Sequence, residues 1–366
     1  MDVEKPWSKV RGWAIVGLLA ACGAVNAQSG PPADAHERAA LRAQVQADLA
    51  SRAKRDPNLA TLNRLLAQPE TAIDLARAEV TIEAMIDPKV NQPATLRALD
   101  NLAQAIRARF PQGDATDNEV RIGLLLNSLQ AAGPWNGNRP FRYDLDNPMG
   151  EDPKDKLLST YLATRKGNCV SMPVLLVVLS QKLGIEATLV SAPAHVFARV
   201  RRDDGSWLNI EATSFGTVSD AHYQQDLAIT PRAIQSGAYL RSLTKQQEIL
   251  VMVDTLEQYY RHHRAPDDLL GLTLRVLTTD MTNVSGWLWR GEAYAALIDE
   301  KFLHKYGSVD AIPPELRDQY SVLHTNNIDM FRSAEALGWV EETAEHKADY
   351  LRSIQQVKAQ QAQTGR

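Results

Sequence analysis

Three polar residues between Arg165 and Ser214 could together carry out nucleophilic chemistry. Cys169 lies in Arg165-Lys-Gly-Asn-Cys-Val-Ser-Met-Pro173, just ahead of the apolar run Val174 to Leu183. His195 opens Ala194-His-Val-Phe-Ala-Arg-Val200, and Glu211 sits in Trp207-Leu-Asn-Ile-Glu-Ala-Thr-Ser214. A cysteine nucleophile needs a thiolate, an imidazole to take and return a proton, and a third group to orient the imidazole. Cys169, His195 and Glu211 supply those types in that order. A lone histidine on a strand is more often structural than catalytic. A glutamate between Ile210 and Ala212 is harder to dismiss, because a carboxylate on an apolar strand needs a partner.

The surrounding elements decide whether the three can meet. Gly167-Asn168 reads as a turn, and the run to Leu183 as a helix that Gly184 ends. A thiol at the start of that helix lies near the positive end of its dipole, which favours thiolate, and near free amides that could hold an oxyanion. Pro173 opposes an interior position and sets the thiol just before the first regular turn. The bland alternative is an inert core cysteine capping an apolar helix. Ile185 to Ser191, His195 to Arg201 and Trp207 to Ala212 read as strands, the last two joined through Asp203-Asp204-Gly205-Ser206. A hairpin loop with an odd residue count, such as Arg202 to Asp204, puts His195 opposite Glu211 on one face, together with Asn209 and Thr213. A two-residue Asp204-Gly205 turn puts them on opposite faces.

The N-terminus bears on the thiol. Lys5, Lys9 and Arg11 precede an apolar run from Trp13 to Ala21 and then small residues, the pattern of a secretory signal peptide. Val25-Asn26-Ala27 fits release as a soluble protein. Leu19-Ala20-Ala21-Cys22 fits a lipobox in which Cys22 becomes a lipidated first residue. The expected location is the bacterial envelope, periplasmic or lipid-anchored. With either cleavage Cys169 has no cysteine left to pair with, and a lone thiol in an oxidising compartment is a liability unless it has a use. The only membrane contact expected is that lipid on Cys22.

The 366 residues allow two or three domains with sizeable cores. A hydrophobic content of 44% with 23% charged residues is ordinary for a globular protein, and a formal net charge of -4 argues against nucleic acid as a partner. The sequence divides into a signal peptide over 1–27 (1–21 for a lipoprotein), a helical segment over 28–133, a mixed core over 134–230 and a helical tail over 231–366. The Gly-, Pro- and Asn-rich stretch from Pro134 to Asp155 reads as a loop anchored by Trp135, Phe141 and Tyr143. Trp135 and Trp207 are groove residues or core anchors. The acidic residues Asp144, Asp146, Glu151, Asp152 and Asp155 lack the glycine spacing of a calcium loop, so no metal and no cofactor is expected. In the tail, Trp287, Gly291 and Tyr294 have the W-x3-G-x2-Y spacing of one tetratricopeptide-type helix, without a second in-register copy.

Gly-Asn-Cys at a helix start, a helix ending Leu-Gly-Ile, Pro-x-His on a strand and an acid on the next strand together resemble the transglutaminase-like superfamily. The wider layout is similar to a bacterial SirB-type subgroup with a tetratricopeptide-like tail; Tyr143-Asp-Leu-Asp-Asn-Pro148 and Leu157-Leu-Ser-Thr-Tyr-Leu162 fit it too. The resemblance runs from about Leu62 and is most specific over residues 143 to 216. It implies an α+β fold in which a central helix packs on a small antiparallel sheet between helical segments. It further implies Cys169 as nucleophile, His195 as general base and Glu211 as orienting acid, where the family usually has Asp. The implied function is an exported cysteine enzyme acting on a peptide or protein amide through a thioester, resolved by water or an amine. The alternative is a non-catalytic envelope scaffold that recruits a protein partner through the tail.

Overall fold

The computed structural model describes residues 35–111 and 117–344, with scattered positions between 348 and 359. The signal segment, Cys22 and the alternative mature ends at Cys22 and Gln28 lie outside the described residues. Helices are α1 (Ala35–Ala53), α2 (Pro57–Leu66), α3 (Leu75–Ile86), α4 (Gln92–Arg107) and α5 (Asn118–Gln130). A two-residue strand β1 (Arg142–Tyr143), helix α6 (Leu158–Thr164), strand β2 (Lys166–Gly167) and helix α7 (Ser171–Leu183) follow. Strands β3 (Ala187–Ala192), β4 (His195–Arg201), β5 (Trp207–Glu211) and β6 (Gly216–Thr217) come next. The chain ends in α8 (Asp220–Asp226), α9 (Pro231–Gln235), α10 (Lys245–His263), α11 (Pro266–Thr279), α12 (Val284–Ile298) and α13 (Arg317–Ala336). This is an α+β fold with helical flanks, and the chain separates into two compact units.

One unit comprises residues 65–256 and 337–366. Its centre is α7, whose apolar run is buried on nearly every side: Val174 to Leu179 are each at most 2% exposed. A helix apolar all round must be covered all round. Here α3, α4 and α6 pack against it, and β3 and β4 lie on its remaining face. Gln181 ties the entry to α3 onto α7, its amide donating to the Ile73 carbonyl and its carbonyl accepting from the Leu75 amide. The helix ends where the sequence predicts, with Gly184 in the left-handed region at φ 71 and its amide bonded to Gln181 and Ser180 carbonyls. Two acids of α3, Glu79 and Glu83, are buried, and Glu83 accepts the Ser159 amide in the first turn of α6. Burial pushes the Glu83 carboxyl up to about 7, and it pushes Glu79 up as well, helped by the neighbouring acid.

The sheet of this unit is antiparallel in the order β3-β4-β5-β6. The outer side of β3 is not left bare. Leu240 and Leu243 donate their amides to the Ser191 and Leu189 carbonyls, and Thr188 donates to the Leu243 carbonyl. A second, parallel pair joins β1 to β2 through Arg142 opposite Lys166 and Tyr143 opposite Gly167. The sequence reads the first of these as loop, because two residues are too few to show alternation.

The other unit comprises residues 1–64 and 257–336. Its helices α11, α12 and α13 pack in succession. Gly291 explains the close approach of α12 and α13: a Cβ there would come within 2.7 Å of the Phe331 ring. Asn327 donates its side-chain amide to the Gly291 carbonyl across the same contact. Trp287 and Tyr294 are each only 5% exposed, so the three spaced residues face the core of this unit rather than an outer surface.

Candidate active site

Cys169 precedes α7 in a turn that Asn168 builds. The Asn168 Oδ1 accepts the amides of Val170 and Ser171 at 3.0 and 3.1 Å. In return the Asn168 amide donates to Ser171 Oγ at 3.2 Å. These reciprocal bonds close the turn ahead of α7, and Cys169 lies within that turn. Asn168 is 2% exposed and also donates its Nδ2 to the Asp155 carbonyl at 3.1 Å. Gly167 completes the turn: a Cβ there would stand 2.7 Å from the Tyr161 ring and 2.8 Å from Met172. Pro173 falls in the first turn of α7, as its chemistry requires.

His195 starts β4 straight after a two-residue turn, Pro193-Ala194, since Ala192 pairs with His195. Ala194 takes a φ of 50, the left-handed region that costs a side-chain-bearing residue about 1–3 kcal/mol. The strain sits next to the imidazole it delivers.

The hairpin from β4 to β5 resolves the parity question. Arg201 pairs with Trp207, and the Arg202 amide bonds to the Ser206 carbonyl at 2.9 Å, so the loop is Asp203, Asp204 and Gly205. Gly205 at φ 81 supplies the left-handed residue that such a loop needs. The loop has an odd count, one residue further along than Arg202 to Asp204. His195 and Glu211 therefore share a face but are not directly opposite, as a loop of Arg202 to Asp204 would have made them, because the loop lies one residue further along.

The three residues meet. His195 Nε2 and Glu211 Oε2 are 2.7 Å apart, and the Cys169 side chain lies close enough to the ring to raise its proton affinity. Burial disfavours the charged ring, but the bonds to Cys169 and Glu211 and the charge of Glu211 outweigh it and push His195 up to about 10. Glu211 is opposed by burial too, yet His195 and Thr213 hold its carboxyl down to about 2. At neutral pH the pair is imidazolium and carboxylate. Side-chain exposures of 18% for His195 and 13% for Glu211 leave the group reachable but largely dry. Cys169 is half-buried and has no disulfide.

Glu211 has further partners. Its Oε1 accepts the Thr213 amide at 2.9 Å and the Thr213 hydroxyl at 2.5 Å, and its Oε2 accepts the Tyr223 hydroxyl at 2.8 Å. Tyr223, on α8, stacks on Phe197 with centroids 4.1 Å apart. Sequence reasoning places Thr213 on this face but assigns it no bond, and it misses Tyr223 altogether. One strand step further along the same face, Arg199 Nε donates to Asn209 Oδ1. Arg199 and Asn209 each donate to Asp220 Oδ1 at 2.7 Å, which fastens the first turn of α8 to the sheet.

The two tryptophans differ. Trp207 lines an open groove of about 540 Å³ with Arg199, Asn209, Ser219 and Asp220. Trp135 is an anchor, its ring under the Arg109 guanidinium at 3.7 Å. Among the described residues no group of three or more acids, histidines and cysteines is arranged to hold a metal ion. Nor, among those residues, is any helix long and apolar enough to cross a membrane.

No curated protein and no solved structure matches the chain. Residues 93–261, which include Cys169, His195 and Glu211, match the profile of the transglutaminase-like superfamily, and over that span the chain carries a domain of this superfamily.

Proposed function

We propose that the protein is an exported cysteine enzyme that opens an amide bond through a thioester, with Cys169 as nucleophile, His195 as acid and base, and Glu211 as orienting acid. The observation that carries this reading is the imidazole of His195, bonded to Glu211 at 2.7 Å with the Cys169 side chain acting on the same ring. A ring that Glu211 keeps charged is the partner a cysteine nucleophile needs beside it. The thiolate sulfur attacks the carbonyl carbon and the carbonyl oxygen takes the negative charge. With the Val170 and Ser171 amides held by Asn168 Oδ1, the Cys169 amide is the turn donor offered to that oxygen. As the carbon–nitrogen bond breaks, imidazolium passes its proton to the leaving amine. The neutral ring then takes a proton from water, or from an acceptor amine, as that molecule attacks the thioester. The thiolate leaves and the ion pair is restored.

Hydrolysis is favoured over transamidation, because water is always present and no amine site is recognisable. The substrate is a peptide or protein amide of the cell envelope, reached from the periplasm or from a lipid anchor on Cys22. The wider arrangement is of the SirB type, with the helices after residue 256 as a tetratricopeptide-like tail open to a protein partner. Iodoacetamide tests the reading. Near neutral pH it labels Cys169 of the native protein selectively, and His195→Ala slows the labelling by at least an order of magnitude, as loss of the cation beside a thiolate does. Equal rates in the native protein, the His195 variant and the unfolded chain would leave an inert cysteine.

A further inference from the structure

Glutamate is an awkward orienting acid. It carries one more rotatable bond than aspartate, so its carboxylate can swing away from the ring it must hold. Here the carboxylate is held on both oxygens: Thr213 on Oε1, and His195 Nε2 with the Tyr223 hydroxyl on Oε2. Thr213 is bound to stay, being two residues along the same chain. Tyr223 comes from a different element and reaches Glu211 only because α8 lies against the sheet. It is held there in three ways. Its ring is 5% exposed and stacked within 14° of parallel on Phe197, which is itself fully buried and opposite Glu211. Asp220, one turn earlier on α8, is fastened by Arg199 and Asn209. The Ser219 side chain caps α8 by accepting the His222 amide.

We infer that Tyr223 is a positioning residue for the thiol–imidazole pair: its hydroxyl keeps Glu211 Oε2 aimed at His195 Nε2, so that glutamate and tyrosine together do what a shorter acid does alone. This inference rests on the proposed reaction for its purpose, but not for its geometry. The charged and titratable groups around the ring are Cys169 from the turn before α7, Glu211 from β5 and Tyr223 from α8, with Asp220 acting on Tyr223. Tyr223 can act in two ways, and they have opposite signs. A hydroxyl that merely drew charge from Glu211 would weaken the anion, so its removal would raise the proton affinity of His195. A hydroxyl that holds the carboxylate in place strengthens the pairing, so its removal lowers that affinity.

The test is Tyr223→Phe in the full mature chain, which keeps the stacked ring and removes one oxygen. Circular dichroism checks the fold, and His195 is titrated by long-range proton–nitrogen NMR. The expected result is a midpoint lowered by about one pH unit, a tenfold loss of proton affinity. In a Glu211→Gln background the same substitution is expected to do nothing more, because the two act as one unit. An unchanged or raised midpoint, or an equal drop in the Glu211→Gln background, overturns the inference. The enzyme reading fails in a different way: Cys169 stays unreactive to iodoacetamide in the native protein while His195 titrates as described.

Discussion

At the scale of single residues, the ion pair of His195 and Glu211 governs the pH behaviour. The folded-state proton affinity of His195 is raised from 6.5 to about 10. The stability this contributes is therefore present in full below pH 6.5 and is lost as pH rises through 10. Glu211 is lowered from 4.5 to about 2, so its contribution is present above pH 4.5 and lost as pH falls through 2. We predict that the melting temperature gap between the native protein and Glu211→Gln is widest between those windows, near pH 5 to 6, and closes towards both extremes. Calorimetry across the range checks it; a gap that does not change with pH would mean the pair is not charged in the fold. Cys169, His195 and Glu211 stand out in the sequence by residue type and order, while strand alternation alone leaves their facing open. Tyr223 does not stand out. A tyrosine on a short helix after Glu211 carries no pattern, and its role exists only once α8 has been laid against β4 and β5.

At the scale of elements, the turn before α7 does most to place the thiol. Asn168 satisfies the Val170 and Ser171 amides while Ser171 satisfies its own. Asn168→Ala removes these bonds and leaves buried amides unpaired, at a cost of about 1–3 kcal/mol. We predict that urea unfolding shows that loss, and that Cys169 alkylation slows in the folded variant because its turn loosens. An Asn168→Ala protein as stable and as reactive as the native one would remove the turn from the account. The helix and its end at Gly184 were legible because the apolar run and the glycine agree. The hairpin register was left open because Asp203-Asp204-Gly205-Ser206 suits loops of either parity; the Arg202–Ser206 bond and the φ of Gly205 decide it. The pair β1 and β2 was invisible, being two residues each. Glu79 and Glu83 resemble the exposed side of α3, and only the packing of α6 over them shows them buried.

At the scale of the whole molecule, the chain segments read from the sequence and the two compact units divide it differently. The helices α3 to α5 belong with the thiol-bearing sheet, whereas residues 257 to 336 cluster with α1. Sequence character changes at loops, but a unit is defined by which helices bury each other, and that depends on contacts far apart in the chain. Trp287 and Tyr294 keep the spacing of one repeat helix, and both are buried within this unit. We predict that Trp287→Ala lowers the stability of its unit by about 3–5 kcal/mol, read by urea unfolding, because it opens a core cavity. An unchanged midpoint would mean that the indole faces solvent. The central claim, that Cys169 carries an acyl group with help from His195, is tested most directly with p-nitrophenyl acetate near neutral pH. The account predicts a burst of one equivalent of nitrophenol, with mass spectrometry finding the acetyl group on Cys169. The burst disappears in Cys169→Ala and is slowed by orders of magnitude in His195→Ala, since members of one catalytic unit fail together. No burst from the folded native protein, or an acetyl group on any other residue with Cys169 unmodified, would contradict it.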